Sequence, residues 1–330
     1  MVGQLPRKTI TLIATVLNEA RGIEALLDSM RAQTRQPDEI VVVDGGSRDA
    51  TLDILRQYSS ELPLRIIEAP GANISQGRNR AIEAARGELI ASTDAGVRLD
   101  PAWLNELARP LEGDAKGKAV AAGFFLADAP DTFALAMGAT VLPAMEEVRP
   151  DGFLPSSRSI AFPKDAWRAV GGYPEWLDYC EDLVFDLALL EAGYRFVWTP
   201  RAVVHFRPRS NLRSFFIQYY RYARGDGKAG LWPRRHAARY AAYAAAVGAV
   251  AGGFWVWPLW LLLPPAAALH LYVPCRRLLR LRGTSPRQRL AAACWVPLIR
   301  VTGDVAKMLG YPDGRAWRLR NRGRAQRKER

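Results

Sequence analysis

Along the first hundred residues, short unbroken apolar runs alternate with stretches of helical spacing. Residues 9–17 (TITLIATVL), 40–43 (IVVV), 64–69 (LRIIEA) and 88–94 (ELIASTD) have the length and continuity of buried strands. Between them, Ile23, Leu26, Leu27 and Met30 repeat at helical spacing, and residues 51–58 and 76–85 read as two more helices. Strands that alternate with helices predict a parallel sheet with right-handed crossovers. Ligands of such sheets bind beyond the carboxyl ends of the strands. Thr15, Asp44, Ala69 and Asp94 fall at or just past those ends, so the two aspartates are expected to face one crevice.

Farther on the pattern is mixed. Residues 119–127 and 194–200 read as strands, residues 180–193 as an amphipathic helix stopped at Gly193, and residues 211–227 as a helix ending in glycine. Residues 241–274 then run for 34 positions without Asp, Glu, Lys or Arg. One spanning helix needs about 20 residues. Breakers at Gly252, Gly253, Pro258, Pro264 and Pro265 divide the stretch, which predicts a membrane hairpin of two short spans. A buried helical hairpin of a soluble core is the other reading. Arg234, Arg235 and Arg239 precede the stretch, and Arg276, Arg277, Arg280 and Arg282 follow it. Positive charge at both ends places both on the cytoplasmic side. Residues 289–312 contain Arg300, Asp304 and Lys307, which predicts an interfacial amphipathic helix, not a further span.

Charge sharpens this division. The net charge is +13, but residues 1–275 carry 30 basic and 30 acidic side chains, and residues 276–330 carry 16 against 3. A basic tail of this kind suits a membrane surface better than specific nucleic-acid reading, so no nucleic-acid partner is expected. Cys180, Cys275 and Cys294 are odd in number, far apart and without a CxxC, which argues against a zinc site or a disulfide frame. They fit a reducing compartment. The N-terminus has no long apolar core and no small-residue cleavage site, so no signal peptide is predicted.

Several residues could carry chemistry. In EIVVVDGGSRDAT (39–51), Asp44 ends a strand before two glycines that permit a tight turn. Its carboxylate could accept hydrogen bonds from a ribose or a base, or serve only as an Asx turn and helix cap. The segment lacks GxGxxG and GxxxxGK, so neither a dinucleotide nor a P-loop site is supported. Asp94 could hold Mg2+ or Mn2+ beside a diphosphate, because hard cations prefer oxygen, or be a turn aspartate. Glu181 and Asp182 open a helix, where the dipole favours acids; one of the two could equally be a general base. His205 could complete a metal site with Asp94 or be an ordinary half-buried histidine. Gln218, Arg221 and Tyr222 share one helical turn suited to a phosphate and a sugar ring, or form a solvated face.

Taken in order, these motifs resemble the family-2 glycosyltransferases of the GT-A fold over roughly residues 9–225. The resemblance implies an α/β nucleotide-diphospho-sugar transferase fold with a mixed, mainly parallel central sheet. It assigns Thr15 and Glu19 to the first nucleotide-binding turn, Asp44 to the base, and Arg78 and Asn79 of GANISQGRNRAI (71–82) to the nucleotide. TDAGVRLDPAWL stands where the family carries Asp-x-Asp, with Asp94 as the first acid and Gly96 in place of the second. Glu181 and Asp182 match the catalytic pair, with Asp182 as the base, and QYYRY is similar to the Gln-x-x-Arg-Trp motif of processive members.

The expected protein is an inverting hexosyltransferase of the cell envelope. Its catalytic domain spans 1–230, a transmembrane hairpin 231–275 and a basic interfacial helix and tail 276–330. It uses a nucleotide-diphosphate sugar and a divalent cation, and a lipid or lipid-linked acceptor at the cytoplasmic face of the inner membrane. A processive synthase subunit and a non-catalytic nucleotide-binding membrane protein are the alternatives. A nucleotidyltransferase would show a basic Gly-rich loop near the N-terminus, and ATVLNEA is not one.

Overall fold

The computed structural model describes residues 7–281 and 283–321. The chain divides into two compact units, one built from the residues up to Leu126 with Met145–Arg207, the other from Ala127–Ala144 and the chain from Pro208 onward. The first unit opens with β1 (Ile10–Val16), α1 (Ile23–Arg31), β2 (Glu39–Asp44), α2 (Thr51–Tyr58), β3 (Leu64–Glu68), α3 (Ile74–Ala84) and β4 (Leu89–Asp94). These follow the alternation of apolar runs and helical spacing closely. Helix α3 starts two residues earlier than its apolar spacing predicts. Asn73 and Gln76 form a reciprocal capping box that fixes its first turn.

The chain continues through β5 (Val97–Leu99), α4 (Trp103–Glu112) and β6 (Ala119–Ala127), then enters α5 (Thr132–Val141) of the second unit. It returns to the first unit in β7 (Ile160–Pro163), α6 (Lys164–Ala169), α7 (Glu181–Glu191) and β8 (Arg195–Phe206). The strand order is β3-β2-β1-β4-β7-β6-β8-β5. The half from β3 to β4 is parallel, and the pairs β4–β7, β6–β7 and β5–β8 are antiparallel. Strand β8 runs on to Phe206, so His205 lies within a strand and pairs in register with Arg98.

Register places the strand ends. Val16 pairs with Asp44 on one side of β1, and Thr15 pairs with Asp94 on the other. The two aspartates thus flank the carboxyl end of one central strand, as the sequence pattern predicts. Both faces of β1 are buried. Leu12 and Val16 pack with Leu26, Leu27 and Trp103, whereas Ile13 packs with Val41, Ala81, Ile82, Phe185 and Leu189. A strand buried on both sides must be apolar throughout, which is why TITLIATVL reads as a continuous run.

The second unit is helical. Besides α5 it contains α8 (Leu212–Ala229), α9 (Pro233–Gly252), a 3-10 turn at Trp257–Leu262, α10 (Leu263–Arg280) and α11 (Pro286–Arg320). Helices α8 and α11 approach closely: a Cβ at Gly310 or Gly314 would strike the backbone of Tyr220 or Arg224. The predicted division of residues 241–274 is seen as a break after Gly252, between α9 and the 3-10 turn. Among the described residues, Trp257–Arg280 alone is long and apolar enough to cross a membrane, and it is scarcely buried. The predicted interfacial segment 289–312 falls inside the 35-residue α11. The units part near Arg207, and α8 lies in the second unit. Arg282 of the flanking basic cluster, residues 322–330 of the basic tail and residues 1–6 of the N-terminus lie outside the described residues.

Helix α3 carries several of the candidate residues and lies directly on β1. A Cβ at Gly77 would come within 2.7 Å of Thr15 Cγ2. Gly77→Val is therefore expected to destabilise the first unit by about 1–3 kcal/mol through overpacking. Unfolding of the detergent-purified variant beside wild type checks this; equal midpoints would show that α3 can move away from β1 at no cost.

Candidate active site

Asp44 is the last residue of β2 and is fully buried. Its Oδ1 accepts from the Gly46 amide at 2.8 Å and the Ser47 amide at 2.7 Å. That is the Asx turn anticipated from the sequence. Its Oδ2, however, is buried without a hydrogen-bond partner among the described residues. A buried carboxylate oxygen left unpaired is costly, and a ligand donor can remove that cost. Gly46 has φ +101°, and a Cβ there would lie 3.1 Å from Pro70 Cα, so this turn requires glycine.

The turn after β1 is tied to this one. The Asn18 amide donates to Ser47 Oγ at 2.8 Å, the Arg48 amide to Asn18 Oδ1 at 2.9 Å, and the Glu19 amide to Thr51 Oγ1 at 2.8 Å. Thr15 and Glu19 are half-buried. A Cβ at Gly96 would lie 3.3 Å from Glu19 Oε2, and Gly96 itself has φ +71°. This left-handed conformation accounts for glycine at the position where the resemblance expects a second aspartate: an L-residue there would be strained.

Arg78, buried on α3, is the centre of the constellation. Its Nη2 donates to Asp94 Oδ1 and its Nη1 to Glu181 Oε1, both at 2.7 Å. The guanidinium also lies over the Tyr173 ring, 5.3 Å from its centroid. Arg158 Nε reaches Asp94 Oδ2 at 3.4 Å, and its guanidinium sits 5.4 Å from the Phe125 ring and 4.7 Å from the Phe206 ring. One guanidinium thus joins the end of β4 to the first residue of α7. Cys180, just before α7, has φ +66° and turns the chain so that Glu181 and Asp182 open the helix. Asp182 is half-buried, and its Oδ1 accepts from the Leu183 amide at 2.8 Å.

The acids respond differently to this field. Burial opposes ionisation of Asp94, but Arg78 and Arg158 outweigh it and hold the carboxyl below the usual range. Burial pushes Glu181 up to about 7, with Arg78 opposing and Asp182 adding to the rise. Asp186, one turn after Asp182, is buried with neither carboxylate oxygen hydrogen-bonded among the described residues. Burial and the neighbouring Asp182 push it well above the carboxylate range, against the pull of Arg78.

Not every predicted residue joins the cluster. Asn79 is spent within the fold: its Oδ1 accepts from Trp167 Nε1 at 2.9 Å and the Tyr173 amide at 2.8 Å, and its Nδ2 donates to the Tyr173 carbonyl at 2.9 Å. Gln218, Arg221 and Tyr222 lie on α8 of the second unit, where Gln218 Nε2 donates to the Tyr222 hydroxyl at 2.8 Å and Arg221 is exposed. Among the described residues, no group of three or more His, Cys, Asp or Glu is placed to hold a metal ion. Sequence reasoning did not single out Arg158, Tyr173 or Asp186. The spacing of Asp186 from Asp182 was legible, but its burial was not. Arg158 precedes a four-residue strand whose local pattern was too short to read.

Residues 11–151 match the family described as Glycosyl transferase family 2, and residues 151–300 match Glycosyl transferase family group 2. The succinoglycan biosynthesis protein ExoA of Rhizobium meliloti (strain 1021) is 28% identical over 260 residues, covering 68% of this chain and 71% of its own length. The mannosyltransferase PcManGT from Pyrobaculum calidifontis, solved with GDP-Man and Mn2+, superposes with a TM-score of 0.62 at 22% identity, over 92% of this chain and 88% of its own. Residues 1–349 of S. aureus TarS, solved with UDP-GlcNAc, give a TM-score of 0.51 at 17% identity, over 95% and 92%. These structural likenesses establish the GT-A fold.

Removing Arg78 would leave the buried Glu181 without its counter-ion and Asp94 with Arg158 alone. Arg78→Met is expected to cost about 3–5 kcal/mol of stability, the usual consequence of breaking a buried ion pair from one side. Thermal or denaturant unfolding of the purified variant measures it, and a loss below about 1 kcal/mol would mean that the acids simply take up protons.

Proposed function

This chain belongs to glycosyl transferase family 2, and from that premise we propose that it moves a sugar, with inversion, from a nucleotide diphosphate to a lipid or lipid-linked acceptor at the cytoplasmic face of the membrane. The observation that carries the reading is the Arg78 bridge. It brings the start of α7, with Asp182, to the strand end that Asp94 shares with β1, where Asp44 leaves one buried oxygen unpaired. A nucleoside donor group would satisfy that oxygen, with Thr15 and Glu19 in the adjoining turn.

Asp182 is the base in this reading, because Glu181 is committed to Arg78 at 2.7 Å. Asp182 takes the proton of the acceptor hydroxyl, and the oxygen attacks the anomeric carbon as the bond to the diphosphate breaks on the opposite side. Arg158, the less buried of the two arginines on Asp94, stabilises the departing diphosphate. The lipid reading is supported by the apolar segment Trp257–Arg280 and by the basic excess after residue 275. With basic flanks at both ends, residues 241–274 would enter and leave the membrane on the cytoplasmic side, the break after Gly252 marking the turn.

The PcManGT complex contains Mn2+, which supports a divalent cation at the donor diphosphate here. Bound there, the cation would neutralise leaving-group charge. The side chains do not by themselves form its site. Both oxygens of Asp94 face arginines, and Gly96 offers no carboxylate. His205, the second ligand expected from the sequence, stays part of this proposal only as a group recruited when donor binds. Titration of Mn2+ into the nucleotide-free protein is accordingly expected to give no saturable binding by calorimetry; a stoichiometric isotherm would mean that Asp94 exchanges an arginine for the metal.

Asp182→Asn is expected to lower sugar transfer by about 10²–10⁴ while nucleotide binding stays near wild type. Radiolabelled transfer to a membrane extract and equilibrium binding of the nucleotide measure the two arms. Near-wild-type turnover would remove Asp182 from the mechanism, and a dead Glu181→Gln beside an active Asp182→Asn would move the role to its neighbour.

A further inference from the structure

The second unit contains a charge cluster that the reaction above does not use. Asp304, on α11, is 3% exposed in the middle of a helix otherwise rich in apolar residues. Arg239 Nε of α9 donates to its Oδ1 at 3.0 Å. His270 Nε2 of α10 lies 3.3 Å from Oδ2, Arg300 Nε 3.7 Å from Oδ2, and Lys307 Nζ 3.9 Å from Oδ1. The Tyr243 hydroxyl donates to Oδ2 at 3.4 Å. Three helices thus direct two guanidiniums, an ammonium and an imidazole at one carboxylate.

The charges do not balance. Asp226, the next acid along this network, accepts from His236 Nε2 at 3.1 Å, and His236 Nδ1 in turn accepts from Arg239 Nη1 at 3.2 Å, so the imidazole relays between the two and cancels neither charge. Among the described residues, that sets three cations, Arg239, Arg300 and Lys307, against two acids, Asp304 and Asp226. A purely structural network would be expected to pair its charges, since an uncompensated buried charge is expensive. Arg300 Nε and His270 Nε2 are buried with no hydrogen-bond partner among the described residues. Burial, the largest cause, draws Lys307 down to about 8 against the pull of Asp304, with Arg239, Arg300 and Arg235 adding to the fall.

The surroundings indicate what the missing anion is attached to. Val247 and Val250 on α9, Leu269 and Val273 on α10, and Leu298 and Val301 on α11 are large apolar side chains left exposed on the same three helices. A free inorganic ion would not call for them. Guanidinium forks suit phosphate oxygens, and an apolar chain on that phosphate would cover the exposed surface.

We propose that Arg239, Arg300 and Lys307, set around Asp304, form a binding site for the phosphate head of a lipid. The inference rests on the membrane reading of the second unit given above. Because it concerns binding alone, it stands or falls apart from the assignment of Asp182.

The test uses the full chain in a neutral detergent, with dodecyl phosphate, dodecanol and inorganic phosphate as probes. Dodecyl phosphate is expected to raise the unfolding temperature saturably, while dodecanol and inorganic phosphate leave it unchanged. Arg300→Gln should weaken that response about tenfold, the loss of one charge-assisted hydrogen bond, and Arg300→Lys should retain most of it. Lys307 also packs over the Tyr219 ring at 4.8 Å, so Arg300 is the cleaner position. An equal response to inorganic phosphate would overturn the lipid assignment. No response to dodecyl phosphate, or one that Arg300→Gln leaves intact, would overturn the site. Donor binding and acceptor-independent donor hydrolysis, measured on the same samples, report on the first unit. Their failure alongside a normal dodecyl phosphate response would count against the catalytic reading and not against this one.

Discussion

The guanidinium of Arg78, taken out of water and shared between Asp94 and Glu181, is the contact on which the architecture of the candidate site depends. A buried arginine is tolerable only when its charge and its donors are both satisfied. Satisfying them needs acids from two distant places: the end of β4 and the start of α7, 16 and 103 residues away from Arg78 in the chain. The bridge therefore fixes α7 against the carboxyl edge of the sheet. It also requires α3 to lie close on β1, which the missing side chain at Gly77 permits. Tyr173 closes one side of the guanidinium, and Phe185 stacks on Tyr173 with centroids 4.1 Å apart.

The same bridge separates the roles of the two adjacent acids of α7. Glu181 is consumed in holding the helix, and its charge is disfavoured by burial; Asp182 stays half-buried at the helix start. Asp186 adds a further buried acid one turn on, and with Asp182 it limits how much negative charge this end of the helix can carry. Four acids around two arginines thus respond in opposite directions, Asp94 held ionised by its arginines and Glu181 and Asp186 pushed towards the neutral form by burial.

The second unit follows a different logic. Its helices meet through glycines and alanines, and its polar groups gather on Asp304. Where the buried acids of the first unit outnumber the two arginines among them, the second gathers more cations than its acids among the described residues. The contrast is chemical: one site is a mixed field of acids and arginines, the other a net positive field among apolar helices.

Much of this was legible before any coordinates. Residues 9–94 fold as their apolar runs and helical spacings predict, because the central strands β1 and β2 are buried on both faces and so carry long apolar runs, and that is a local signal. The placement of Asp44 and Asp94 on either side of β1 followed from the same signal, and so did the position of Glu181 and Asp182 at the start of a helix. The antiparallel half was less legible. Strands β5 and β7 have three and four residues, too few to establish a period, and helix α4 was not separated from its surroundings. What only the tertiary structure decided is which charge meets which. Arg158 reaches Asp94 from 64 residues away, Asn79 is spent on the backbone of Tyr173, and the cations around Asp304 come from three helices. Local sequence fixes the period and the ends of an element, but the pairing of buried charges is set by distance through space, and that distance exists only once the chain has folded.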